Sequence, residues 1–187
     1  GPGPKALEVI RGQLAELARY PDGGGFRLRD ALATRHGVTA EQITIGNGSN
    51  DLLELVTRAF VTPENEVVFS QHAFAVYPIV TQAVGARAVV VPARDWGHDL
   101  DAMQRAITPR TRMVFIANPN NPTGTWLPAA PLKAFLAALP AHVIPVLDEA
   151  YFEYVTEPEY PDASQWVAQF PQLVVTRTFS KAFGLAG

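Results

Sequence analysis

With 187 residues, 48% of them hydrophobic and 18% charged, the chain has enough apolar material for one core and too little length for two domains of ordinary size. This balance excludes intrinsic disorder, and a formal net charge of −3 without clustered Lys and Arg argues against a nucleic-acid partner. No apolar run reaches the roughly eighteen residues of a membrane span, the start lacks a signal-peptide pattern, and no cysteine is available for disulfides, so a cytoplasmic protein is expected.

Leu7, Ile10, Leu14 and Leu17 recur at helical spacing, and that helix should end before the turn cluster Tyr20-Pro21-Asp22-Gly23-Gly24-Gly25. A short helix is predicted from Phe26 to His36, closed by Gly37. Ile43-Thr44-Ile45 reads as a strand running into the glycine-rich Gly46-Asn47-Gly48-Ser49-Asn50, after which Leu52, Leu53, Val56 and Phe60 are again helical. Further strands are predicted at 67–69, 88–91, 113–116, 143–147 and 173–175. Their β-branched, continuous character suits strands covered on both faces. Helices are expected near 74–84, 99–107, 128–139 and 163–170, with Asp99 and Asp101 at the start of the second. Alternation of this kind predicts a three-layer α/β/α fold with a mostly parallel central sheet. Pro145 denies the sheet a donor and should sit at an edge or a bulge. Trp96, Trp126 and Trp166 are isolated and read as packing residues.

In open sheets of this type ligands bind beyond the carboxyl ends of the strands. Four polar clusters are placed there: Gly46 to Asn50, Asn118 to Gly124, Asp148 to Tyr151, and Thr178 to Lys181. Each has an ordinary explanation taken alone. Asn-Pro-Gly sequences make turns, Asp caps helices, and a single lysine is usually solvated. Asp148 and Glu149 could suggest a carboxylate pair, but adjacent residues leaving a strand point different ways. His36, His72, His98 and His142 lack metal-ligand spacing, and no metal site is expected. In combination the clusters carry more. A glycine-rich loop with Ser49 and Asn50 at a helix start suits a phosphate, Thr178 and Ser180 add hydroxyls, and Lys181 beside them suggests a phosphorylated carbonyl cofactor.

The motifs NPNNPTG (118–124), DEAY (148–151) and TFSKAFGLAG (178–187), in this order, resemble the fold-type I pyridoxal-phosphate aminotransferases, and YPDGGGFRLRDALA and GNGSNDLLELVTRAF are similar to their histidinol-phosphate branch. The resemblance implies that residues 1–187 are the large cofactor-binding domain. Lys181 would form the Schiff base with pyridoxal 5'-phosphate and later act as general base, and Asp148 would pair with the ring nitrogen. Asn121 and Tyr151 would bond the phenolic oxygen, and Phe74 would stack on the ring. Ser49, Asn50, Thr178 and Ser180 would hold the phosphate, and Tyr20 would reach the partner subunit's cofactor in a homodimer. The implied reaction moves an amino group from L-histidinol phosphate to a 2-oxo acid, 2-oxoglutarate, in histidine biosynthesis. Aromatic-amino-acid aminotransferases and threonine-phosphate decarboxylases share the scaffold, as do regulatory sensor domains of a different class. Members of the family are about twice as long, so a small C-terminal domain and an N-terminal arm are expected outside this chain, and the chain alone should be inactive.

Overall fold

Five of the apolar runs become strands of one sheet. β1 (Glu66–Ser70), β2 (Arg87–Val91), β3 (Thr111–Ala117), β4 (Ile144–Asp148) and β5 (Val174–Thr176) are arranged β2-β1-β3-β4-β5, all neighbours parallel, in the computed structural model, which describes residues 1–186. Gly187, the last residue of the third motif, lies outside the described residues. The helices are α1 (Pro4–Gln13), α2 (Phe26–His36), α3 (Gly48–Phe60), α4 (Val76–Ala83), α5 (Leu100–Arg105) and α6 (Ala129–Ala138). No helix among the described residues is long and apolar enough to cross a membrane.

Successive strand residues face opposite sides of a sheet, and here each side meets its own helical layer. Met113, Phe115 and Ala117 of β3 pack with Leu53 of α3 and with Tyr77 and Val80 of α4. Val114 and Ile116 point the other way, to Met103 of α5 and to Leu132, Phe135 and Leu136 of α6. The continuous apolar strands are therefore the expected consequence of a three-layer α/β/α arrangement. Helix ends follow local chemistry. Gly37 closes α2 in the left-handed conformation at φ 68°, and the Asp99 carboxylate accepts the Ala102 N–H at 2.9 Å to start α5.

Several expectations are corrected. Ile43-Thr44-Ile45 joins no strand; it runs past α2, with Ile45 packed so closely on Gly25 that a Cβ there would collide with the Ile45 side chain. Its apolar side chains are accommodated by a helix start rather than by a sheet, so the glycine-rich loop leaves no strand. The helix expected at 163–170 is only a 3-10 turn, Ala163–Trp166; Asp162 caps its start by accepting the Ser164 N–H at 3.0 Å, and Pro171 bars its extension. Pro145 has the edge-like position expected of it, although β4 itself lies between β3 and β5. Pairing with β5 starts only at Val146, so the proline stands where β4 has one neighbour. β2, at the sheet edge, is largely exposed rather than covered on both faces. Leu7, Ile10, Leu14 and Leu17 are exposed, and the α-helix gives way to a 3-10 turn at Leu14. Trp166 is buried as expected, whereas Trp96 is exposed and stacks on His72 with centroids 4.9 Å apart.

The core and the edge should respond differently to truncation. Ile116→Ala, in the middle of β3, is expected to cost about 2–5 kcal/mol of stability. Val90→Ala on the exposed edge should stay within about 0.5 kcal/mol. Denaturant midpoints of the two variants check this contrast.

Candidate active site

β3, β4 and β5 end on the same side of the sheet, and the N-terminus of α3 comes to the same rim. Between them lies a cleft of about 240 Å³, lined by Ser49, Asn50, Phe74, Asn121, Asp148, Tyr151, Thr178, Ser180 and Lys181. Nine of the ten site residues expected from the sequence thus share one cavity. The tenth, Tyr20, expected to serve a partner subunit, is fully exposed and outside this cleft. The rim draws on three strand ends rather than four.

Asp148, the last residue of β4, forms the floor and is almost wholly buried. Its Oδ2 accepts the Tyr77 hydroxyl at 2.9 Å and its Oδ1 accepts the Thr176 hydroxyl at 3.0 Å. Burial pushes its pKa up, while the hydroxyls, the Ala150 N–H and the charge of Lys181 pull it down. The Lys181 side chain, on an exposed turn beyond β5, sits with Nζ 5.5 Å from the centre of the Tyr151 ring. A carboxylate below and an amine above face one cavity.

The other end of the cleft is built for an anion. α3 has no side-chain cap, and the first N–H groups of a helix have no partners within it. Gly48 enters the helix at φ 77°, and a Cβ there would lie 3.6 Å from Ser180 Oγ and 4.0 Å from Thr178 Oγ1. The bare glycine keeps the helix end open toward these hydroxyls, which bond each other at 2.8 Å. Uncapped N–H groups beside two hydroxyls are donors that could hold an anion such as a phosphate.

The Asn118–Gly124 loop is clamped by its own side chains. Asn118 bonds Leu127 through both amide atoms, at 2.8 and 3.2 Å, and Asn120 donates to His72 O at 2.7 Å and to Thr123 Oγ1 at 2.8 Å. Asn121, between these two clamped residues and Gly124, lines the cleft. Two supports had no signal in the sequence, and for a third, Glu149, the sequence indicated only that it points away from Asp148. Tyr77 looks like one more apolar position of α4, and Thr176 like strand filler. Glu149 turns away from Asp148 and accepts Arg177 Nε at 3.0 Å and Nη2 at 2.7 Å, while Arg177 also bonds Asp162 at 2.6 Å and lies 3.6 Å over the Phe152 ring. Glu149 thus ties the end of β4 to the segment that carries Lys181.

Residues 4–187 match the family model described as aminotransferase class I and II. Among curated proteins, the chain is 63% identical over 186 residues to histidinol-phosphate aminotransferase 2 of Pseudomonas fluorescens. It is 56% identical over 187 residues to histidinol-phosphate aminotransferase 1 of Nitrosococcus oceani; both alignments cover 100% of this chain and 50% of the relative. Among solved structures, histidinol-phosphate aminotransferase from Sinorhizobium meliloti in complex with pyridoxal-5'-phosphate aligns with a TM-score of 0.94 and 36% identity, over 100% of this chain and 51% of that one. The chain spans about half the length of the curated relatives it matches.

The Glu149–Arg177 contact sets a pH dependence. Burial pushes Glu149 from its ordinary 4.5 up to about 7 against the pull of Arg177. The folded state therefore holds that proton more tightly, so this contribution to stability is complete below pH 4.5 and is lost as pH rises through about 7. Arg177→Met should cost least near pH 4.5. Above neutrality, where it strands a buried charge, the cost should reach about 3–5 kcal/mol. Denaturation of both proteins across this range measures the difference.

Proposed function

The chain belongs to the class I and II aminotransferase family, and from that membership we propose that it forms the large cofactor-binding domain of a pyridoxal-phosphate enzyme. The reaction we assign is transfer of the amino group of L-histidinol phosphate to 2-oxoglutarate, giving imidazole acetol phosphate and glutamate, as a cytoplasmic step of histidine biosynthesis. The observation that carries the reading is the facing pair of Asp148 and Lys181 across one cleft, with an open helix end and two hydroxyls beside it. The relatives' names support the choice of substrate, and their length supports further chain, a small domain and an N-terminal arm, completing the site.

The residues fit pyridoxal phosphate on their own chemistry. The glycine cradle and its hydroxyls match a phosphate, Phe74 offers an aromatic face, and the buried carboxylate of Asp148 matches a ring nitrogen that must stay protonated. When bound, the cofactor supplies an aldehyde carbon that takes up amines and a ring that accepts the electron pair left behind when a proton departs.

The protein's own groups do the rest. Lys181 would hold the cofactor through its amine and, when free, would move the proton at the substrate α-carbon; its exposed position gives the amine freedom to move. Asp148 would keep the ring nitrogen protonated. Tyr151 and Asn121 would hold the ring's phenolic oxygen. Ser49, Asn50, Thr178 and Ser180 fix the phosphate, so the reacting end stays in register with Lys181. Tyr20 reaches the phosphate of a second copy, which makes the working unit a homodimer with shared sites.

Borohydride reduction of the protein with pyridoxal phosphate, followed by peptide mapping, should place the label on Lys181; a label elsewhere refutes the assignment. In the full-length protein, Lys181→Ala should lower turnover by at least about a hundredfold. In a substrate panel with the full-length protein, histidinol phosphate should be consumed in preference to phenylalanine and threonine phosphate, and no turnover of it would overturn the substrate choice.

A further inference from the structure

Tyr77 has no role in the chemistry above, yet its side chain is held from several sides at once. It is fully buried on α4, with its ring stacked on Phe115 at 4.6 Å and 4°, and Phe74 packed edge-on against it at 5.9 Å and 90°. A ring clamped in this way has no room to swing, and its hydroxyl has one described partner, Asp148 Oδ2 at 2.9 Å. Burial, reinforced by the neighbouring carboxylate, raises the phenol well above its ordinary pKa, so it remains a donor.

We propose that Tyr77 is a positioning residue that keeps the Asp148 carboxylate ionised and aimed into the cleft, while its ring sets the placement of Phe74. A carboxyl group this deeply buried favours its neutral form, and a neutral acid cannot hold a ring nitrogen protonated. Donation from Tyr77 to one oxygen and from Thr176 to the other favours the anion and fixes the plane of the group. The same tyrosine supports Phe74, so one side chain governs both the expected ring-face contact and the expected ring-nitrogen contact. This second part rests on the cofactor reading given above; the link between Tyr77 and Asp148 does not.

The titratable groups facing Asp148 are Tyr77 from α4 and Lys181 from the turn after β5. β5 presents Thr176 and β3 presents Ala117, while Glu149 is engaged with Arg177. Because burial raises Asp148 above its ordinary 3.8, its contribution to stability is complete below that pH and is lost as pH rises. Removing the Tyr77 hydroxyl should steepen that loss.

The test is a double-mutant cycle of Tyr77→Phe and Asp148→Asn in the cofactor-free protein, with denaturation followed from acid to alkaline pH. Tyr77→Phe keeps the aromatic stack and should fold. Its cost should grow with pH, and that growth should disappear in the Asp148→Asn background, where a neutral amide oxygen can still accept the hydroxyl. A cost that is independent of pH, or whose growth with pH persists in that background, would make Tyr77 merely structural and overturn the proposal. Titration with pyridoxal phosphate gives the second readout: Tyr77→Phe should bind about tenfold to a hundredfold more weakly, the value of a hydrogen bond to a charged group. Unchanged affinity overturns the cofactor part. If the unsubstituted protein takes up no pyridoxal phosphate, the aminotransferase reading falls, and the denaturation cycle still decides whether Tyr77 controls Asp148.

Discussion

A carboxylate at the buried end of an interior strand is a costly group to keep, and much of the architecture around the cleft is a response to it. Water that would solvate Asp148 has been replaced by Tyr77 from α4, Thr176 from β5 and the Ala150 N–H from the turn beyond β4. These donors converge because the strands are parallel and in register. Ala117, Asp148 and Thr176 stand side by side across β3, β4 and β5. The smallness of Ala117 leaves space above the sheet, and the hydroxyl of Thr176 supplies a bond without filling that space. One row of three residues thus determines where the cavity opens and what charge lies beneath it.

Rigidity and freedom are divided across the cleft. The floor and the Asn118–Gly124 wall are held by side-chain bonds, aromatic stacking and burial, so their polar groups have little room to reorient. Lys181, by contrast, lies on an exposed turn with the Tyr151 ring near its amine. A group that must first bind covalently and then move a proton needs such latitude, whereas groups that hold a ring and a phosphate need fixed positions. The Glu149–Arg177–Asp162 network joins the two regimes, because it fastens the end of β4 to the segment leading into the lysine's turn.

Much of the site was legible in the chain itself. Asn121, Asp148, Tyr151, Thr178, Ser180 and Lys181 lie in short runs directly after strand-like segments, and backbone geometry alone carries residues so placed to the carboxyl rim of a parallel sheet. Ile43-Thr44-Ile45 shows the limit of this logic. Its β-branched pattern is that of a strand, but strand formation needs a neighbour to pair with, and the segment instead packs its apolar side against the start of α2. Residues 163–170 fail in a similar way: helix-compatible spacing yields a 3-10 turn that ends at Trp166, and Pro171 bars its extension.

The sequence by itself determined the elements governed by local rules: the continuous apolar strands, the helices with their caps, the proline-clamped loop and the order of polar clusters along the chain. Only the tertiary structure decided what those clusters become. Tyr77 and Asp148 are 71 residues apart, and nothing local distinguishes that tyrosine from an ordinary apolar position of an amphipathic helix. Its hydroxyl acquires a purpose when packing against Phe115 brings it to the end of β4, where a buried carboxylate needs a donor. Hydrophobic periodicity can be read from neighbours in sequence, whereas satisfying a buried charge depends on which distant groups the fold delivers to it.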